Sequence, residues 1–126
     1  MLESNVIINL DLEMNCIFCQ IVSGSKPAKI FWENEEIIAF QDIFPKANVH
    51  LLVCPKEHYE RLTELPEGLI LRLFQTIREI AANLGITDNF RLILNNGAQA
   101  GQIIEHLHFH FLSNAHDVKL KFKSPG

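Results

Sequence analysis

The sequence predicts an α+β domain in which an antiparallel sheet is served by one short and one long helix. A chain of 126 residues with 48% hydrophobic residues and no internal repeat can bury one ordinary core. Two segments carry apolar residues at three-and-four spacing, which is helical. The remaining apolar residues fall in short β-prone runs bounded by turn formers, which is the pattern of a sheet.

Taken in order, Ile17, Phe18, Ile21 and Val22 place a short helix over 16–22, stopped by Gly24 and Pro27. Residues 30–32 and 37–40 are β-prone runs joined by Asn34-Glu35-Glu36, which suits a hairpin, and 49–53 is a third run closed by Pro55. From 67 to 84, Ile70, Leu73, Phe74, Ile77, Ile80, Ala81 and Leu84 recur on one helical face, with Pro66 placed to open the helix and Gly85 to close it. Phe90, Leu92 and Leu94 alternate with Arg91 and Ile93. A Gly-rich loop over 95–101 then leads to a strand over 106–112. The order α-β-β-β-α-β-β reads as an antiparallel meander. The tail 118–123 alternates apolar residues with lysines, as an edge strand or an arm reaching a partner subunit would. Residues 1–13 form an extension, either laid on the surface or at a subunit contact, or disordered, and Met14 is an alternative start. The domain proper is expected over 14–126.

A net charge of −4, with basic residues scattered apart from Lys119, Lys121 and Lys123, argues against a nucleic-acid polymer or a membrane surface as partner. No apolar run reaches the ~20 residues of a membrane span, and the N-terminus lacks the order of a signal peptide, so a cytoplasmic location is expected. In a reducing compartment, Cys16-x-x-Cys19 reads as a metal or redox pair; the third cysteine, Cys54, sits in an apolar run as a small buried residue.

The chemistry concentrates in His106-Leu-His-Phe-His110. On a strand, His106, His108 and His110 share one face while Leu107, Phe109 and Phe111 enter the core. At a rise of ~3.3 Å per residue the outer two lie about 13 Å apart at Cα, too far for all three to share one tetrahedral ion easily. A pair at i and i+2 could share a metal if further ligands came from elsewhere. Half of the chain's six histidines in one alternating row points to function. An imidazole titrates near pH 6.5, so it can be a nucleophile at one position and a phosphate ligand or proton donor at the next. Gly97 and Gly101 in the preceding loop permit the close backbone approach that cradles an anion.

The segments Cys16-Ile-Phe-Cys-Gln-Ile-Val22, Ala39-Phe-Gln-Asp-Ile-Phe-Pro45, His50-Leu-Leu-Val-Cys-Pro-Lys-Glu-His58, Asn95-Asn-Gly97 and Ala100-Gly-Gln-Ile-Ile-Glu-His-Leu-His-Phe-His110 resemble the histidine-triad (HIT) family. The likeness is to its Hint-like branch of nucleoside phosphoramidases and related bacterial proteins. It implies a HIT-like fold whose sheet continues across a homodimer, and a reaction at the α-phosphate of a purine nucleotide conjugate through a covalent nucleotidyl-histidine. On this resemblance His108 is the nucleophile, oriented through its other ring nitrogen by a backbone carbonyl near His106. His110 and the amides around Gly101, Gln102 and Ile103 hold the nonbridging oxygens. Asp42 accepts from the ribose, Phe18, Ile21, Phe40 and Ile43 sandwich the base, and Asn95 and Gln102 lie beside the phosphate. His50 backs up the triad and His58 is structural. A subset of bacterial relatives carries the cysteine pair, which implies a structural zinc held by Cys16, Cys19, His50 and His106; the alternative is a pair of free thiols. No organic cofactor is implied.

Two departures stand out. Ile103 occupies a position where Hint-like members usually carry Ser or Thr, and the chain continues as Leu112-Ser-Asn-Ala-His116 where many relatives have a basic residue. These leave open a dinucleoside polyphosphate hydrolase, a non-catalytic purine-nucleotide-binding or scaffolding module, and a redox or metal-handling role for the cysteines.

Overall fold

The structure, a computed structural model, describes residues 15–123, so the predicted extension over 1–13 lies outside the described residues. The elements are α1 (Ile17–Ser23), β1 (Ile30–Glu33), β2 (Ile37–Gln41), β3 (Val49–Pro55), α2 (Glu67–Asn83), β4 (Arg91–Leu94) and β5 (Phe109–Ser113). Short 3₁₀ turns occupy Leu62–Glu64 and Ala98–Ala100. All strand pairs are antiparallel and the spatial order is β1-β2-β3-β5-β4. The predicted α+β class therefore stands, but a simple meander does not. The chain leaves β3 through α2, lays β4 at the edge and returns with β5 between the two. That places the histidine strand inside the sheet, paired on both sides.

Local chemistry explains the elements. Cys16 caps α1 by accepting the amide of Cys19 on its sulfur at 3.3 Å, and Gly24 ends the helix at φ 88°, a left-handed conformation that glycine adopts without a Cβ penalty. The β1–β2 turn is set by Asn34, whose Oδ1 accepts the amides of Glu36 and Ile37, each at 2.9 Å.

Strand alternation then sorts side chains into two cores. Toward α2, Ile37, Ala39, Val49, Leu51, Val53, Leu107, Phe109 and Phe111 pack with Leu69, Leu73, Ile77, Ile80 and Ala81 of the helix. Phe74, predicted for that face, is 41% exposed and makes an edge contact with Phe109. Toward α1, Ile38, Phe40, Leu52 and Cys54 pack with Cys16, Phe18, Cys19 and Ile21. The tail over 118–123 departs from the expected edge strand. It makes no strand, but Lys123 N–H donates to the Ile30 carbonyl at 2.7 Å while Val118, Leu120 and Phe122 pack on the larger core.

Ile80 is fully buried in the α2-side core, whereas Leu71 is 60% exposed. Ile80→Ala should therefore cost about 2–5 kcal/mol in denaturant unfolding, and Leu71→Ala within about 0.5 kcal/mol.

Candidate active site

The site is built on the face of the sheet that carries α1. Regular pairing of β5 begins only at Phe109, so His106–His108 form a lead-in, entered through a bend, where the sequence predicts strand. The alternation nevertheless continues through it, because Leu107 is fully buried and its amide donates to the Tyr59 carbonyl at 2.7 Å. The three imidazoles thus share one face and fall into different surroundings.

His108 Nδ1 lies 2.8 Å from the His106 carbonyl oxygen. A carbonyl only accepts, so Nδ1 carries the proton and Nε2 keeps a lone pair. The ring is 8% exposed and meets the edge of Phe18 at 5.1 Å between centroids. Burial holds its pKa below the ordinary value, which keeps it neutral at physiological pH.

His110 stands 5.1 Å from His108, ring to ring. Its Nδ1 lies 3.0 Å from His50 Nε2, and that nitrogen lies 3.4 Å from an Asp42 oxygen. His50 sits across from Leu112 in the β3–β5 ladder, so the contact with His110 is the diagonal one. The Lys46 amide donates to His50 Nδ1 at 3.1 Å, and the other Asp42 oxygen accepts the Phe44 amide at 2.9 Å. Burial, then the neighbouring imidazoles, push His110 down to about 4. Burial lowers His50 as well, although Asp42 opposes it.

The cysteine–histidine cluster differs from the expected metal set at one position. Cys16, Cys19, His58 and His106 converge, with every ligand atom within 4.8 Å of the others, and His50 is not among them. The reason is distance along β3: five residues separate His50 from Pro55, about 16 Å at strand rise, and the cysteines lie at the Pro55 end. The chain turns back after Pro55 and delivers His58 instead. His106 Nε2 donates to the Pro55 carbonyl at 2.8 Å, which leaves Nδ1 bare at 3.3 Å from Cys16 Sγ and 3.6 Å from Cys19 Sγ. His58 repeats this arrangement, with Nδ1 at 3.4 Å from Cys19 Sγ and Nε2 at 3.6 Å from a Glu60 oxygen. Two thiols and two bare nitrogens, each imidazole oriented through its far nitrogen, match what tetrahedral zinc takes. Cys54 is buried nearby with its thiol pKa pushed up by burial, as expected of an inert core cysteine.

The loop before the triad differs from expectation in two ways. Gln102 is 5% exposed and faces inward: its Nε2 donates to the carbonyls of Glu60 and Ile104, and its Oε1 accepts from the Gly97 amide and Arg61. It clamps the loop and does not present its amide to a phosphate. The Gly101 and Gln102 amides are likewise spent on Ala98 and Gly97 carbonyls within the turn. Ile103 is 86% exposed at the mouth. Asn95 faces Gly101, where an added Cβ would stand 3.7 Å from its side chain. Of the predicted base-contacting residues, Phe18, Ile21 and Phe40 are buried in the α1-side core, and Ile43 is exposed together with its neighbour Phe44. A hollow of about 660 Å³ beside α2, lined among others by Gln75, Arg78, Glu79, Thr87 and Phe90, offers no imidazole or thiol.

An antiparallel α+β sheet with an imidazole row on its inner strand defines a class, and comparison supplies the family. The HIT domain model matches residues 23–117. An uncharacterised HIT-like protein of Methanocaldococcus jannaschii is 41% identical over 100 residues, 77% of each chain. A HIT family hydrolase from Clostridium thermocellum superposes with a TM-score of 0.74 at 38% identity, covering 83% of this chain and 95% of that one. A zinc-bound histidine triad family protein from Mycobacterium smegmatis does so with a TM-score of 0.71 at 33% identity, covering 90% and 86%. The chain belongs to the HIT family.

His110, His50 and His108 all resist protonation in the fold relative to an ordinary imidazole. The unfolded chain therefore binds more protons as pH falls, so stability is greatest at and above about pH 6.5 and declines toward about 4. Thermal unfolding across that range should show this decline, and His110→Asn should make it shallower.

Proposed function

We propose that the chain is a hydrolase that acts at the α-phosphate of purine nucleoside phosphoramidates or related nucleotidyl conjugates and releases the nucleoside monophosphate. The observation that carries this reading is His108, a neutral imidazole whose Nδ1–H is tied to a backbone carbonyl so that its Nε2 lone pair is the reactive one. In the first step Nε2 bonds to phosphorus, the bond from phosphorus to the leaving group breaks, and the leaving group departs with a proton drawn from solvent. In the second, water attacks phosphorus, the P–N bond breaks, the water's proton is released to solvent, and His108 returns to its starting form. The nonbridging oxygens gain charge in both steps, and His110 stands beside the nucleophile to meet it. On this reading Asp42 receives the ribose hydroxyls, and Ile43, which is exposed, gives the base an apolar face. The HIT hydrolase among the structural relatives favours the hydrolytic reading over a binding module.

Zinc fits the Cys16–Cys19–His58–His106 set and would tie α1, the segment after β3 and the triad lead-in together. The zinc-bound relative supports this. A homodimer continuing the sheet through β4, which is an edge strand, is part of the same proposal. Among the described residues no helix is long and apolar enough to cross a membrane.

Intact-mass spectrometry during turnover of an adenosine 5′-phosphoramidate should show a transient nucleotidyl adduct and AMP release. His108→Ala should abolish the adduct and lower kcat by about a thousandfold or more. Nucleotide binding without adduct or AMP in the wild type would move the assignment to a binding module. Turnover of a dinucleoside polyphosphate alone would move it to that substrate class. Zinc content measured on purified protein should be one per chain, fall to near zero in His58→Ala, and persist in His50→Ala.

A further inference from the structure

We propose that the backbone N–H of Lys46 fixes the tautomers of His50 and His110, which makes Lys46–His50–His110 a one-way chain of hydrogen bonds and bars a metal ion from the Asp42, His50 and His110 group. The phosphoryl chemistry proposed above enters only in the consequence for turnover; the tautomers and the metal exclusion stand on the geometry alone.

Among the described residues, two groups have ligand atoms close enough for a metal ion: the cysteine–histidine set and Asp42, His50 and His110. Separation alone does not distinguish them, since the Asp42–His50 and His50–His110 contacts of 3.4 and 3.0 Å would suit adjacent ligands of one ion. Proton placement does. A neutral imidazole that binds a metal through one nitrogen must carry its proton on the other. His106 satisfies this, because its Nε2 donates to the Pro55 carbonyl and its Nδ1 is left for the ion, and the His58 Nε2, 3.6 Å from a Glu60 oxygen, is free to carry that ring's proton.

His50 is wired the opposite way. Its Nδ1 faces a backbone amide at 3.1 Å, and an amide N–H only donates, so Nδ1 must be bare and the single proton sits on Nε2. Binding a metal at Nε2 would move that proton to Nδ1, against the Lys46 N–H, or would demand an imidazolate. Either is costly in a ring that is 3% exposed.

The same proton has a second effect. His50 Nε2–H points at His110 Nδ1 at 3.0 Å, so that nitrogen accepts and the proton of neutral His110 is placed on Nε2. Nε2 is the nitrogen free of protein partners among the described residues, and His110 therefore offers the reaction a donor where His108 offers a lone pair. One backbone amide, two imidazoles away, keeps the neighbouring histidines of the row from being two competing bases. The Lys46 ammonium works in the same direction, since its charge opposes a second proton on either ring.

Long-range ¹H–¹⁵N correlation spectra of the zinc-loaded, substrate-free full chain read the tautomers directly. His50 and His110 should both be protonated at Nε2 and bare at Nδ1; an Nδ1-protonated form of either overturns the proposal. Titration of zinc-free protein with Co²⁺ should saturate at one equivalent with thiolate charge-transfer absorption. A second tight equivalent without that absorption, lost in Asp42→Asn, overturns the metal exclusion. Lys46→Pro removes the N–H and should mix the tautomers, lower kcat about tenfold or more and change KM little, while Lys46→Ala keeps the amide and should keep the tautomers. Unchanged tautomers and kcat in Lys46→Pro count against it, and if that variant fails to fold the two wild-type measurements still decide. A chain that turns over no nucleotide conjugate yet shows the predicted tautomers would sink the hydrolase reading and leave this one standing.

Discussion

The hydrogen bond from His108 Nδ1–H to the carbonyl oxygen of His106, 2.8 Å long, is the interaction on which the remaining chemistry depends. It spans only two residues, so its geometry is set by how firmly the lead-in to β5 is held. Leu107 anchors that lead-in from the core side, through full burial and an amide bond to Tyr59. His106 anchors it from the other side, its ring bound to Pro55 and facing the two cysteines. The carbonyl between these anchors has little room to turn. A buried hydrogen bond of this kind contributes about 1 kcal/mol net to stability, but here it also decides which nitrogen of His108 can react.

From that constraint follows a division of labour within one short segment. Each histidine is assigned by the partner of its far nitrogen: a carbonyl at His106 leaves a bare nitrogen toward the thiols, a carbonyl at His108 leaves a bare nitrogen toward the open face, and a donor imidazole at His110 leaves an N–H. Burial disfavours the charged form of all three, so the differences between them lie chiefly in proton position. The cysteine–histidine cluster and the histidine pair with Asp42 lie on the same face of the sheet, yet only the first has the protons placed for a metal.

Much of this was legible in the sequence because it rests on alternation. The helix periods, the β-prone runs and the His-x-His-x-His row each follow from local repeats, and the family-bearing segments name His108, His110 and Asp42. What escaped depends on contacts distant in sequence. The return of β5 between β3 and β4 is a choice of topology that no local pattern encodes. His58 rather than His50 joins the cysteines because of where β3 ends, and Pro55 was the available signal. Gln102 turns inward because Glu60 and Arg61, some forty residues earlier, complete the set of partners that Gly97 and Ile104 begin. The Lys46 amide escaped because a backbone donor leaves no trace in residue identity.

The most direct measurement is the position of the bond in the trapped intermediate. Quenching the reaction of ¹⁵N-histidine-labelled protein with a nucleoside phosphoramidate, followed by ³¹P–¹⁵N correlation on the His108 peptide, identifies the nitrogen bonded to phosphorus. The account predicts attachment to His108 Nε2, because Nδ1 is held by the His106 carbonyl. Attachment to Nδ1, or to His110, would contradict it.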